Sequence, residues 1–325
     1  MADVFAYLEG FGASGGSPNK STIIVTAPTG STVTCKMGST TKTATEKNGV
    51  WTFGGLDLGT WTITSTKGGD SATQDVAITR LTVEYVTIIY RTTPDFTYTG
   101  DYEVVDDSDN PISDFASWKN NWKIRFLTSG TLTFTKLNGW NGQLDVFLVG
   151  GGGNGETIRG ARGGGGGYTK TVKGISIAIA TPYTVTIGAS SGTSSAFGAS
   201  ANGASGANGG SGGGGGGSSS GTPGNGGSNG GNGTAGNVSQ GGAGQGTTTK
   251  EFGESTGKLY SGGGGGSAAG AGAAGDSTAG AGANFGGAAK NGVANTGGGG
   301  GAAYSGTAGR GGSGIVIARN ARGAA

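Results

Sequence analysis

The chain has 325 residues, of which 79 are glycine, one is cysteine and none is histidine, and its formal charge at pH 7 is +2. Without histidine there is no Ser-His-Asp or Cys-His nucleophile and no imidazole metal ligand. A single cysteine excludes an internal disulfide and a cysteine-built zinc or iron–sulfur site.

Composition changes near Gly139. Only 15 of the glycines lie in residues 1–140, against 64 in the remaining 185, and charge divides at the same place, with 11 basic and 14 acidic residues before it and 10 and 5 after. Neither half has the basic surplus that nucleic acid binding requires. Residues 1–19 open on Met1-Ala2-Asp3-Val4-Phe5, with an early acidic residue and no long apolar core, so no secretion signal is expected there. No apolar run reaches the roughly 20 residues of a membrane span, so no membrane insertion is expected. The last residues, "ARNARGAA" (321–325 being the tail), show no anchoring signal.

From residue 20 to residue 91, short runs rich in Thr, Val, Ile and aromatic residues recur: "STIIVTA", "STVTCKM", "GVWTFGG", "GTWTITSTKGG", "ATQDVAIT" and "LTVEYVTIIY". Asn48-Gly49, Gly54-Gly55 and Gly68-Gly69 punctuate them at hairpin spacing. Such a series predicts a small β-sandwich with Trp51, Phe53 and Trp61 in its core. The stretch "LDLGTWTITSTKGGDSATQDVAITR" resembles an immunoglobulin-like repeat common in tail and fibre proteins of phages that infect Gram-positive bacteria. That resemblance implies a spacer or docking module.

Residues 94–140 read as a β-rich connecting region that continues into the frame of the next domain. Asp106, Asp107 and Asp109 are spaced as calcium ligands are, but the glycine that an EF-hand loop needs is absent, and a solvated turn closed by Asn110-Pro111 is the better reading. Strands follow in "WKIRFLTSG", "TLTFTKL" and "QLDVFLV". Because Val146 and Leu148 alternate with Phe147 and Val149, the last of these is apolar on both faces and is expected to be covered on both.

Residues 141–320 hold most of the glycine. Gly231 to Gly236 matches G-x-G-x-x-G, but no apolar strand precedes it; Gly209 to Gly213 matches G-x-S-x-G, but no histidine exists to serve as base. A flexible spacer is the ordinary reading of glycine and serine. Against it stand runs with glycine at every third position: Gly203 to Gly215, Gly221 to Gly236 and Gly306 to Gly312. Phe197-Gly198, Phe252-Gly253 and Phe285-Gly286 each precede a pure glycine block, and apolar strands enter and leave the tract. Gly314–Arg319 is expected to pair with Gln143–Val149. Three residues per turn is the polyproline II repeat, and glycine at every third position lets neighbouring helices touch. The half is therefore predicted to be a packed stack of left-handed polyglycine II helices framed by β-strands. In that stack Gly230→Val should be far costlier than a change at Asn229.

The sequences "FLVGGGG", "GGGGGYTKTV", "YTVTIGA" and "GGSGIVIAR" around these runs resemble a glycine-rich domain frequent in phage tail proteins. The tract is also similar to the polyglycine-sandwich adhesins of some long tail fibres. The resemblance implies an all-β and polyglycine II fold and a non-enzymatic receptor-binding fibre on the virion tail. It further implies a homotrimer docked to other tail proteins near Met1, with a host cell-surface glycan or protein as partner and no cofactor or metal. Discrimination should then come from interruptions of the glycine. The richest, Gly246 to Gly262, offers Lys250, Glu251, Lys258 and Tyr260; a second offers Lys290 and Asn291 beside Phe285. Phe197, Phe252 and Phe285 are instead expected to be anchors holding the stack to its frame. Two other readings stay open: a structural spacer or stalk, and an ice- or surface-binding protein, for which the glycine half lacks regular threonine rows.

Overall fold

A computed structural model describes residues 20–67, 70–87, 94–112, 121–137, 140–158, 160–217, 221–227, 231–237, 242–244 and 250–322. The fold is all-β in several open sheets, without a barrel, and the one helical segment among these residues is a 3-10 turn at Glu251–Gly253. Two compact units are present, and by their described residues the first comprises 20–94 and the second 95–112 and 121–322.

The first unit has eight strands: β1 (Ser21–Thr26), β2 (Thr32–Met37), β3 (Thr40–Lys42), β4 (Glu46–Lys47), β5 (Val50–Leu56), β6 (Gly59–Lys67), β7 (Asp70–Ile78) and β8 (Val83–Thr87). They form two four-stranded sheets, β4-β5-β1-β8 and β3-β2-β6-β7, antiparallel except where β8 joins β1. Period-two alternation sends Ile23, Val25, Trp51 and Phe53 from one sheet and Val33, Cys35, Trp61 and Ile63 from the other into a single core. Trp61 Nε1 donates to the Asp57 carbonyl at 2.9 Å, so the largest ring is buried without an orphaned donor. Asn48 and Gly49, at φ 54° and 76°, make the two-residue turn between β4 and β5. Burial pushes the Cys35 thiol up to about 11, against a smaller opposing pull from Lys42.

The second unit carries β9 (Phe96–Tyr98), β10 (Tyr102–Asp106), β11 (Trp122–Phe126), β12 (Gly130–Phe134), β13 (Gln143–Val149), β14 (Thr169–Ser176), β15 (Pro182–Thr186), β16 (Ser194–Ala196), β17 (Ala199–Ala201) and β18 (Ile315–Asn320). One sheet has the order β10-β11-β18-β13-β14 and the other β17-β16-β15-β12-β9. Strand β18 pairs antiparallel with β13 from Val149↔Ile315 to Leu144↔Asn320, so the two ends of the glycine-rich half are neighbours in one sheet, as expected. Every residue from Leu144 to Val149 is buried. Between the sheets, Trp140 meets Trp122 at 5.4 Å and Phe134 at 5.5 Å, and Tyr98 meets Phe126 at 4.7 Å.

The described parts of the glycine tract lie between β13 and β18 and are joined by backbone hydrogen bonds that cross from segment to segment. Gly163 donates to Gly214, Gly214 to Gly264, Gly264 to Gly164, Gly164 to Gly300 and Gly300 to Gly153, all at 2.8–3.0 Å. Successive glycines face different neighbours. A β-carbon placed on Gly212 or Gly215 would strike the 221–224 segment, one on Gly213 or Gly216 the 160–163 segment, and one on Gly214 the carbonyl of Gly242. Contacts therefore repeat every three residues. This explains two textures of sequence. Pure glycine blocks such as Gly297–Gly301 are buried throughout, because neighbours surround them. In the Gly-x-x run, Gly221 and Gly224 are buried while Thr222 and Asn225 are exposed, because only one side in three is covered. Gly230 and Asn229 lie outside the described residues, as do residues 1–19 and Gly68-Gly69.

Alanine at Gly164 would meet the carbonyl of Gly153, and alanine at Gly300 that of Gly309, whereas at Gly206, with φ 55°, the space is open. Chemical denaturation should accordingly show Gly164→Ala and Gly300→Ala destabilised by about 3 kcal/mol or more. Gly206→Ala should cost only about 1–2 kcal/mol, from its backbone conformation alone. Equal costs at the three positions would contradict the close-approach explanation.

Candidate functional site

Strand β11 reads Trp-Lys-Ile-Arg-Phe, so alternation puts Lys123 and Arg125 on one face and Ile124 on the other. Register extends that face across the sheet. Lys123 lies opposite Arg319 of β18, which lies opposite Asp145 of β13; Arg125 is in line with Ile317 and Phe147. Lys123, Arg125, Asp145 and Arg319 are all buried, in strands whose other buried side chains are mostly apolar. Burial of a charge is tolerated only with partners in place.

The partners come from the segment 250–260. Lys250 bridges to Leu259 and the Glu251 amide donates to the Lys258 carbonyl at 2.8 Å, closing a loop that begins with the 3-10 turn, in which Phe252 has φ 54°. Glu251, 3 % exposed, forms an ion pair with Lys123 Nζ at 3.0 Å, lies 3.6 Å from Arg125 Nη2 and accepts from the Tyr260 hydroxyl at 3.2 Å. Phe252 and Tyr260 pack on Phe147 with centroids 5.8 and 5.4 Å away, joined by Ile315 and Ile317. Arg319 lies 3.9 Å over the Phe252 ring and reaches Glu254 at 2.6 Å and Asp145 at 3.4 Å. From the other side, Asp109 Oδ1 accepts from Lys123 at 2.6 Å and from Arg125 at 2.5 Å. A cleft of about 540 Å³ remains between these parts, lined by four acidic and four basic side chains.

Charge states follow from these contacts. Burial alone would raise the Asp109 carboxyl, but hydrogen bonds and charge from Arg125 and Lys123 outweigh it and hold it below its ordinary value. Glu254 is lowered by its hydrogen bond from Arg319. The Tyr260 phenol is pushed well above its usual range by burial, and the Glu251 charge adds to this. Asp106 spends its carboxylate within its own turn, accepting from the amides of Ser108 and Asn110 at 2.8 Å and from Asn110 Nδ2 at 3.0 Å. The arrangement fixes opposite charges against each other and clamps the loop to the sheet.

Four of the sequence-derived contact residues thus lie in one loop, but not all at its surface. Glu251 and Tyr260 are buried, 3 % and 1 % exposed, with Glu251 held by Lys123 and Arg125 and Tyr260 packed on Phe147. Lys250 is half-buried and donates to the Ser255 carbonyl. Lys258 is exposed, 5.9 Å from the Tyr260 ring. Lys290 and Asn291 belong to another segment and are exposed; the Asn291 side chain accepts from the Arg310 amide at 2.8 Å. Of the three phenylalanines expected as anchors, Phe252 is one, Phe197 is half-buried against Tyr183 at 5.2 Å, and Phe285 is 54 % exposed. Sequence reading missed Lys123, Arg125, Asp109, Asp145 and Arg319. The available signal was a charge inside a strand apolar on both faces.

A family model described as a glycine-rich domain matches residues 127–321. No curated protein matches the chain.

Removing Glu251 leaves Lys123 and Arg125 short of a buried counter-charge, so Glu251→Ala should destabilise the loop and sheet by about 3–5 kcal/mol. Asp109 and Glu254, being lowered in the folded state, stabilise it above their unfolded values of 3.8 and 4.5, and that contribution is lost as pH falls through and below them. Hydrogen exchange at Glu251–Tyr260 should therefore stay constant from about pH 7 to pH 5, after correction for intrinsic rates, and rise in more acid solution. Protection that persists unchanged through that acid range would refute the clamp.

Proposed function

The chain belongs to the glycine-rich domain family, and on that premise we propose that it is a phage tail fibre or receptor-binding adhesin, which attaches a virion to a bacterial surface without catalysing a reaction. The observation that carries this reading is the glycine tract itself. Its backbone hydrogen bonds run to neighbours on several sides, both of its ends are held in one sheet, and its interior displays almost no side chains. Such a body suits a rigid support whose specificity resides in the side chains at its margins.

Within this proposal the tract is a stack of left-handed polyglycine II helices, supported by the three-residue repeat of contacts along Gly212–Gly216. The first unit is an immunoglobulin-like sandwich, supported by one core drawn from two sheets. We keep residues 20–91 as that module, 94–140 as the connecting region and 141–320 as the glycine-rich domain. Residues near Met1, outside the described ones, would dock to other tail proteins, in a homotrimer. The partner would be a host cell-surface glycan or protein. A structural stalk is the second reading, favoured by the ion-pair clamp, which stiffens the frame.

Fluorescently labelled full-length protein should attach saturably to at least one strain of a Gram-positive panel and should compete with phage adsorption to it. Light scattering should give three times the chain mass. Absence of attachment across the panel, with the protein located along the particle's tail shaft, would favour the stalk.

A further inference from the structure

The three Phe-Gly pairs differ in a way that points to a site. Phe197-Gly198 and Phe252-Gly253 make tight turns with both residues at positive φ, and each ring is drawn toward the body of the protein. Phe285-Gly286 also occupies a turn, closed by the Gly287 amide on the Asn284 carbonyl at 3.1 Å, yet its ring stays in solvent. It is not loose. Its centroid is 4.2 Å from that of Tyr304, with the planes at 87°, and the Gly286 amide donates to the Ser305 hydroxyl at 3.1 Å. A β-carbon on Gly306 would strike the Gly287 carbonyl, so the two loops run back to back.

A third loop joins them. Thr157 bridges in parallel to Ala303, and the Ala303 amide donates to the Glu156 carbonyl at 3.0 Å; the next residues on the two segments are Ile158, 60 % exposed, and Tyr304. Glu156 grips Arg162 through Nε at 3.0 Å and Nη2 at 2.7 Å. The base is rigid: the Ala283 amide donates to the Ala302 carbonyl, the Ala302 amide to that of Gly265, and the buried Ser267 hydroxyl to that of Ala283.

We propose that Phe285, Tyr304 and Ile158 form a binding platform for a neutral sugar ring of a surface glycan. This rests on the adhesin reading and names its receptor chemistry. Three partly exposed side chains offer on the order of 300 Å², well short of the roughly 800 Å² per partner of a stable protein interface. Among the described residues of the three loops, the guanidinium of Arg162 is already paired with Glu156. A pyranose matches what is present: its C–H face lies on an aromatic ring, and its hydroxyls meet the Ser305 hydroxyl and the unfilled acceptor positions of Glu156. The rings are held before the ligand arrives, so little ordering entropy opposes binding.

The test uses the full-length chain on a printed array of neutral hexose and N-acetylhexosamine oligosaccharides, followed by calorimetric titration of the strongest array member. Phe285→Ala should weaken binding about tenfold or more with an unchanged melting curve, since the ring is exposed. Phe285→Trp should retain binding, and Lys258→Ala, in the charged cleft, should have no effect. No binding anywhere on the array, or equal binding by Phe285→Ala, overturns the platform. Cell attachment by the same proteins separates the two readings. Wild type and Phe285→Ala attaching equally would remove the platform and leave the adhesin; array binding by a wild type that attaches to no cells would leave the platform and remove the adhesin.

Discussion

A backbone that hydrogen-bonds to neighbours on several sides at once, instead of only within one sheet, leaves no room for side chains between segments, and that requirement decides which residues the glycine tract can use. At Gly164, Gly213, Gly298 and Gly300 the space a β-carbon would take is occupied by a neighbour's carbonyl group. The cohesion of the tract comes from peptide groups that bond across segments rather than along them. Because each such bond adds only about 1 kcal/mol net, the number and regularity of the crossings matter more than any one of them. Glycine carries the largest backbone entropy into this arrangement, which raises what the crossings must offset.

The frame solves the complementary problem. A tract that presents little apolar surface cannot seal the sheet that carries it, so one face of β11, β18 and β13 is closed by the loop Lys250–Tyr260. Apolar packing on Phe147 and the paired charges around Glu251 act on the same loop. The ion pairs fix its placement, since Lys123, Arg125 and Arg319 accept only one arrangement of carboxylates, whereas the rings alone would tolerate sliding. Much of the charge in this interruption of the glycine therefore serves the fold, and the exposed aromatic surface lies elsewhere, at Phe285 and Tyr304.

What could be read in advance followed from local pattern. Alternation in "GTWTITS" marks Trp61 and Ile63 as core, and double-sided apolarity marks β13 and β18 as covered partners. Glycine at every third position implied a close neighbour on one side in three, which Gly221 and Gly224 display. The buried charges were harder to see. Lys123 meets Glu251 only through a sheet register and a loop far along the chain, and neither residue type signals burial by itself. The Phe-Gly pairs show the same limit. Their turns are local and recognisable, but whether a ring ends beneath a sheet, as for Phe252, or in water, as for Phe285, depends on which distant segment arrives beside it.

The scarcity of side chains within the glycine tract also shapes its response to temperature. Exposing apolar groups raises the heat capacity on unfolding, while exposing peptide groups lowers it. For the first unit, closed around Trp51, Phe53 and Trp61, this implies the usual curved dependence of stability on temperature. In the glycine tract the newly hydrated surface is richer in peptide groups, which implies a flatter curve. Cooling weakens burial of rings far more than it weakens a lattice of amides and carbonyls, and a body held by the second keeps its shape in the cold as well as in the warm.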